Sequence, residues 1–241
     1  MDMPIDFQHQ AMGYDRTATM FSPEGKLLQV EYAEKAVKWG SASIGMVCND
    51  GVFILADKRL EEPLLAPKST SKIYEIDSHI IASSAGIVAD ARVLVERAQV
   101  LSQQHRVTYD SPIEPESVIK DISNMKQQFT QYGGARPFGV TIMVAGVNKG
   151  RAELYGSDVT GNYFSYMANA IGENDEKIKE KLRTEYKKDL TIRKGAKIAA
   201  NIFKEIQEGK FNLERFELAF IKKDSIKIER LDGEELKNFL K

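Results

Sequence analysis

The sequence predicts an α+β protein: a four-layer αββα sandwich of two antiparallel sheets flanked by helices, plus an N-terminal helix. Three observations point there. Strand-like and helix-like segments come in segregated blocks, in the order strands, two helices, strands, two helices, strands. No composition break, flexible linker or internal repeat divides the 241 residues. Two separate α+β domains are the other reading of the pattern, but the short final strands would then lack partners.

Taken in order, residues 1–13 lack helical periodicity and are expected to be mobile. A helix is predicted over about 23–38. Ser22 can accept hydrogen bonds from the first free amides, Pro23 at the first helical position forgoes only an amide without a partner, and Glu24 sits at the positive end of the dipole. Leu27, Val30 and Val37 share one face; Glu31 with Lys35 and Glu34 with Lys38 form (i, i+4) pairs on the other. Gly40 is the expected stop. Two apolar strands follow, Ser41–Cys48 and Gly51–Asp57, joined by Asn49-Asp50-Gly51, where Asp-Gly tolerates positive φ. Glu61–Thr70, polar and with two prolines, reads as a loop. Ser71–Asp77 and His79–Ser84 make a second strand pair.

Val88, Ala91, Val95, Ala98 and Leu101 recur at helical spacing and predict a helix over Ala89–Arg106. Pro115 opens another, running through Ile119, Ile122, Met125 and Phe129 to Gly133-Gly134. Strands return at Gly139–Gly146, Arg151–Ser157 and Asn162–Met167. Helices are predicted over Glu173–Tyr186 and Ile192–Gln207. Leu213–Ile221, a turn at Asp224-Ser225, Ile226–Glu229 and a short helix through Leu236 and Leu240 complete the chain.

Composition narrows the function classes. Hydrophobic residues make up 42% and charged residues 29%, with a formal net charge of −1, so nothing calls for nucleic acid or an anionic membrane. No apolar run approaches the ~18 residues of a membrane span, and no secretory signal pattern is visible. Cys48 is the one cysteine and reads as a buried strand residue, in keeping with a reducing, cytoplasmic setting. His9, His79 and His105 are scattered without metal-ligand spacing, so no metal and no cofactor are expected.

Four segments say more than composition. They are Tyr14-Asp15-Arg16; the block Phe21–Ala33; Ala82-Ser83-Ser84-Ala85-Gly86-Ile87-Val88-Ala89-Asp90-Ala91; and Gln131-Tyr132-Gly133-Gly134-Ala135-Arg136-Pro137-Phe138-Gly139. Their order and spacing resemble proteasome α subunits of archaeal type, whose fold is that of the N-terminal-nucleophile hydrolases. The resemblance covers nearly the whole chain. It implies one α-type domain over 14–241 behind a gate segment, 1–13. It implies a seven-membered ring of α subunits that caps rings of catalytic β subunits, docks an activator ATPase and passes unfolded protein substrates. Tyr14, Asp15, Pro23 and Tyr32 match the cluster that holds the gate open between neighbouring subunits. Lys72 and Gly86 match the pocket that receives an activator C-terminus, where a carboxylate needs a cation. Tyr132, Gly133, Gly134 and Ala135 match the annulus around the pore. Taken singly, each of these residues also has an ordinary packing, capping or surface role. One position departs: Glu34 stands where archaeal relatives commonly carry Arg.

Catalytic members of that fold superfamily expose a Thr whose free amine and hydroxyl perform the chemistry with a lysine and an acid. Here Gly40-Ser41 falls at the cleavage pair, Asp57 at the acid and Lys72 at the lysine. A self-processing hydrolase with Ser41 as nucleophile is therefore the alternative function, and a ring protein with no protease partner is a third. Against the enzyme stand a Ser in place of Thr, the absence of any Gly-Thr dipeptide, and the loss of the whole N-terminal helix that cleavage would entail. The expectation is a subunit without a catalytic site of its own.

Overall fold

The computed structural model describes residues 12–59 and 64–241. Ten strands and six α-helices alternate in the blocks the sequence predicts. The strands are β1 (Ser43–Val47), β2 (Gly51–Asp57), β3 (Ile73–Asp77), β4 (Ile80–Gly86), β5 (Val140–Asn148), β6 (Arg151–Ser157), β7 (Tyr163–Ser165), β8 (Ala168–Ile171), β9 (Phe216–Lys222) and β10 (Ile228–Asp232). The helices are α1 (Leu28–Trp39), α2 (Val88–Tyr109), α3 (Pro115–Gln131), α4 (Asp175–Glu185), α5 (Ile192–Gln207) and α6 (Gly233–Leu240). Two five-stranded sheets form, ordered β10-β9-β2-β1-β8 and β3-β4-β5-β6-β7. Every pairing is antiparallel. The final strands do find partners: β9 pairs with β2, which settles the choice in favour of one sandwich.

Layering follows from the two-residue period of a strand. In β2, Phe53 and Leu55 face outward and pack with Ile192, Ala196 and Phe203 of α5 and Leu182 of α4. Val52, Ile54 and Ala56 face inward against Ile81, Met143 and Leu154 of the other sheet. The opposite outer layer joins Ile142 and Val144 of β5 to Leu94 and Ala98 of α2 and Ile119 and Ile122 of α3. Strands covered on both faces read as nearly continuous apolar runs, as β2 and β5 do. Val30, Ala33 and Val37 of α1 belong to the inter-sheet cluster, so this helix seals one end of the space between the sheets.

Three expectations need correction. α1 begins at Leu28, not Pro23, and Ser22 caps no helix. Instead, Ser22–Lys26 form a tight turn: the Gly25 amide donates to the Ser22 carbonyl at 2.8 Å and the Ser22 amide to the Lys26 carbonyl at 2.8 Å. Gly25 has φ 77°, a left-handed conformation that glycine adopts freely and that interrupts a helix. Glu31 accordingly pairs with Lys26 at 3.2 Å and not within the helix. Second, Asn162–Met167 is not one strand. β7 pairs with β6, and after Tyr166-Met167 the chain crosses to the other sheet, where β8 pairs with β1. Third, the loop before β3 contains a short 3₁₀ turn, Pro67–Thr70. The expectation for the gate segment falls, apart from Met12 and Gly13, outside the described residues.

Candidate functional site

The junction from α1 into β1 carries the residues with the most chemistry. Gly40 ends the helix as expected, but for a packing reason: a Cβ there would lie 2.3 Å from the Gly86 amide nitrogen. Gly86 itself has φ 122° and would place a Cβ 2.2 Å from the Gly139 carbonyl oxygen. The end of α1, the end of β4 and the chain entering β5 thus meet backbone to backbone.

Next to this contact, Ser41 receives Lys72. The Lys72 ammonium donates to Ser41 Oγ at 2.8 Å and to the Ser41 carbonyl. Burial pulls the Lys72 pKa down to about 7, with Arg59 adding to the effect and Asp57 and Glu217 opposing it. Glu217 fixes the lysine's backbone by accepting from the Lys72 amide, from the Ile73 amide at 2.9 Å and from Ser71 Oγ at 2.9 Å. Asp57 is fully buried but serves other donors: Arg215 Nη2 at 2.7 Å, Gln207 Nε2 at 2.8 Å and the Arg59 amide at 3.0 Å. The fold brings Ser41 and Lys72 together, while Asp57 belongs to the arginine.

This arrangement differs from an N-terminal nucleophile in one decisive respect. The Ser41 amine is a peptide nitrogen, bonded to Gly40 in a chain that runs unbroken from α1 into β1. The Gly40 carbonyl accepts from the Glu173 amide at 2.8 Å. Arg59 pairs with Glu173 and donates to the Trp39 carbonyl at 3.3 Å. The junction is thereby clasped from β2 and from the approach to α4. Sequence reasoning missed Glu217, Gln207 and Arg215. Glu217 alone left a trace, as a lone acid inside the apolar run Phe216–Ile221.

The expected gate residues gather around the start of α1. Tyr14–Arg16 form a 3₁₀ turn, which Gln29 of α1 holds by donating from Nε2 to the Asp15 carbonyl at 2.5 Å. Pro23 lies exposed in the Ser22–Lys26 turn, and Tyr32 sits half-buried one turn into the helix, with the Lys35 ammonium 5.4 Å from its ring centre. Gln29, unexplained by helix propensity, therefore has a structural task.

Tyr132–Ala135 project at the end of α3. Tyr132 is 60% exposed, and no atom lies within 4 Å of a Cβ built on Gly133 or Gly134. Behind this loop, Arg136 forks onto Asp90 near the start of α2, with Nη1 at 2.7 Å and Nη2 at 2.6 Å, and Asp90 also accepts from the Gly139 amide at 2.9 Å. Burial raises the Asp90 pKa, but the hydrogen bonds from Arg136 and Gly139 outweigh it and hold the carboxyl below its ordinary range. Two of the four diagnostic segments are thus one structural unit.

Cys48 is buried, and burial pushes its thiol pKa up to about 12, which makes it a poor nucleophile. Among the described residues no group of three His, Cys, Asp or Glu could hold a metal ion, and no helix is long and apolar enough to cross a membrane.

Comparison with known proteins agrees with this architecture. A family model described as Proteasome subunit matches residues 37–221, and one for the N-terminal signature of the proteasome's α-type subunits matches 14–36. Curated relatives named as proteasome alpha subunits align along most of the chain. That of Methanosphaerula palustris is 39% identical over 229 residues, 95% of both chains. That of Archaeoglobus fulgidus is 42% identical over 229 residues, 95% of this chain and 93% of its own. That of Pyrococcus abyssi is 43% identical over 228 residues, 95% of this chain and 87% of its own. With both models covering it from Tyr14 to Ile221 and such relatives along nearly its full length, the chain belongs to the proteasome subunit family, in its α branch.

Proposed function

We propose that this chain is a non-catalytic subunit of the α ring of a 20S proteasome core. Rings of seven such subunits cap the catalytic β rings and govern the passage of unfolded protein to the proteolytic chamber. The α1–β1 junction carries this reading. An N-terminal nucleophile needs a free amine, and here the Ser41 nitrogen is held in a peptide bond beneath a packed helix. The name the curated relatives share, that of the proteasome's alpha chain, supports it.

In this reading residues 1–13 obstruct the axial pore. Tyr14, Asp15, Pro23 and Tyr32 hold them aside in the open state by hydrogen bonds and apolar contact with the neighbouring subunit. The exposed loop Tyr132–Ala135 lines the pore, where two glycines let copies crowd an axis. Deleting residues 1–13 is expected to raise hydrolysis of long unfolded substrates severalfold in particles assembled with β subunits, and to change hydrolysis of very short peptides less. Equal rates before and after deletion argue against a gate.

Lys72 and Gly86 form the receiving side for an activator's terminal carboxylate. The Lys72 ammonium has no carboxylate within ion-pair distance among the described residues, so an arriving one restores its charge and favours the open ring. Lys72→Ala is expected to abolish most activator stimulation while leaving the ring assembled. Unchanged stimulation in an intact ring excludes the assignment.

One observation favours a second reading, a self-processing hydrolase: the Lys72 ammonium lies 2.8 Å from Ser41 Oγ. Intact-mass measurement separates the two. The ring subunit retains its residues before Ser41; the hydrolase yields a fragment that begins there and cleaves peptides by itself.

A further inference from the structure

Away from the α1–β1 junction, a hollow of about 320 Å³ opens between α1, the β6–β7 turn, β8 and α4. Glu34 and Lys38 of α1, Asp158 of the turn, and Asn169, Tyr166 and Lys179 line it. Asn169 is only 5% exposed, and its Oδ1 accepts from the Ala170 amide at 2.9 Å, which fixes the orientation of the side chain. Its Nδ2 has no partner among the described residues. Gly156 leaves room in front of it, since a Cβ there would lie 2.7 Å from Nδ2. A buried donor with nothing to donate to is costly unless a ligand or water completes it.

The acidic groups are also incomplete. Asp158 accepts from Thr160 Oγ1 at 2.7 Å, the Asn162 amide at 2.9 Å and Asn162 Nδ2 at 3.1 Å, all neutral donors. Glu34 has no ion pair among the described residues, and burial together with Asp158 raises its pKa. Lys179 is engaged by Asp175 at 2.6 Å. The hollow therefore offers carboxylates that lack a cation and one buried amide that lacks an acceptor. A guanidinium or a simple alkylammonium answers only the first. An anion answers only the second. The group that answers both is an α-ammonium followed by a peptide carbonyl.

We propose that this hollow binds the free amino terminus of a short peptide, with its ammonium against Glu34 and Asp158 and its first carbonyl accepting from Asn169 Nδ2. The volume is at the small end of ligand pockets and suits a residue or two, not a folded partner. This site does not depend on the proposed gating role.

Titration calorimetry on the full chain tests it with three probes: alanyl-alanine amide, its N-acetylated form and propylamine. The free-amine peptide should bind at least about tenfold more tightly than either of the others, and Glu34→Gln and Asn169→Ala should each weaken it about tenfold. Thermal unfolding of each variant, at a midpoint close to that of the unaltered chain, shows that the fold is kept. Equal binding of the acetylated probe, equal binding of propylamine, indifference to Glu34→Gln, or no binding at millimolar concentrations overturns the proposal.

Discussion

Asp57→Ala should be among the most damaging single substitutions in the chain, costing about 3–5 kcal/mol. Asp57 is fully buried at the end of β2, and Arg215 forks onto it from the approach to β9. Gln207 of α5 and the Arg59 amide occupy its remaining lone pairs. One carboxylate thus ties together β2, α5, β9 and the Arg59 clasp. Removing it leaves a half-buried guanidinium without the acceptor it was oriented for, which costs more than the pair itself contributes. For a chain of this length each kcal/mol shifts the midpoint by ~2–4 °C, so the fall should be about 6–20 °C. Asp57→Asn keeps the volume and one acceptor and should fall between. Thermal unfolding at a fixed protein concentration checks this, because assembly would otherwise shift the midpoint. A loss below about 1 kcal/mol shows that the arginine resolvates freely.

Lys126→Met should act in the opposite direction and stabilise by about 1–4 kcal/mol at neutral pH. Lys126 is fully buried on α3, with its ammonium 3.2 Å from the Ser157 carbonyl and 3.3 Å from Ser157 Oγ, and no carboxylate within ion-pair distance among the described residues. Burial pulls its pKa from 10.5 down to about 7, with only Asp158 opposing. The sign follows from linkage: the folded chain binds the proton more weakly than the unfolded chain. The penalty is absent above pH 10.5, grows as pH falls through the window between the two values, and is complete below about 7. The gain from methionine, which fills similar space and suits a helix, should therefore be largest at pH 6 and smaller at pH 9. Denaturant unfolding at those two pH values measures it. A gain independent of pH means that Lys126 keeps its charge when folded.

The elements most legible in the sequence were those whose burial is periodic. α2 and α3 show their helical stripe, and β2 and β5 are apolar throughout because both faces are covered. Local punctuation misled at α1. Ser22-Pro23-Glu24 satisfies the rules for a helix start and equally those for a tight turn. Only the Phe21–Leu27 bridge and the left-handed Gly25 distinguish them. Asn162–Met167 misled differently, since nothing in its alternation says that the chain changes sheets at Tyr166-Met167.

The sequence by itself determined the layer order, the family, and the segments that carry its signature, because periodicity and motif spacing are local and survive without a folded context. Tertiary structure decided what those segments do to one another. Arg136 reaches Asp90 across 46 positions, Arg215 reaches Asp57 across 158, and Glu217 fixes Lys72 across 145. Charge pairing at such separations depends on which strands become neighbours. That is set by the total burial of two sheets and their helices, a sum over the whole chain that no window of residues contains.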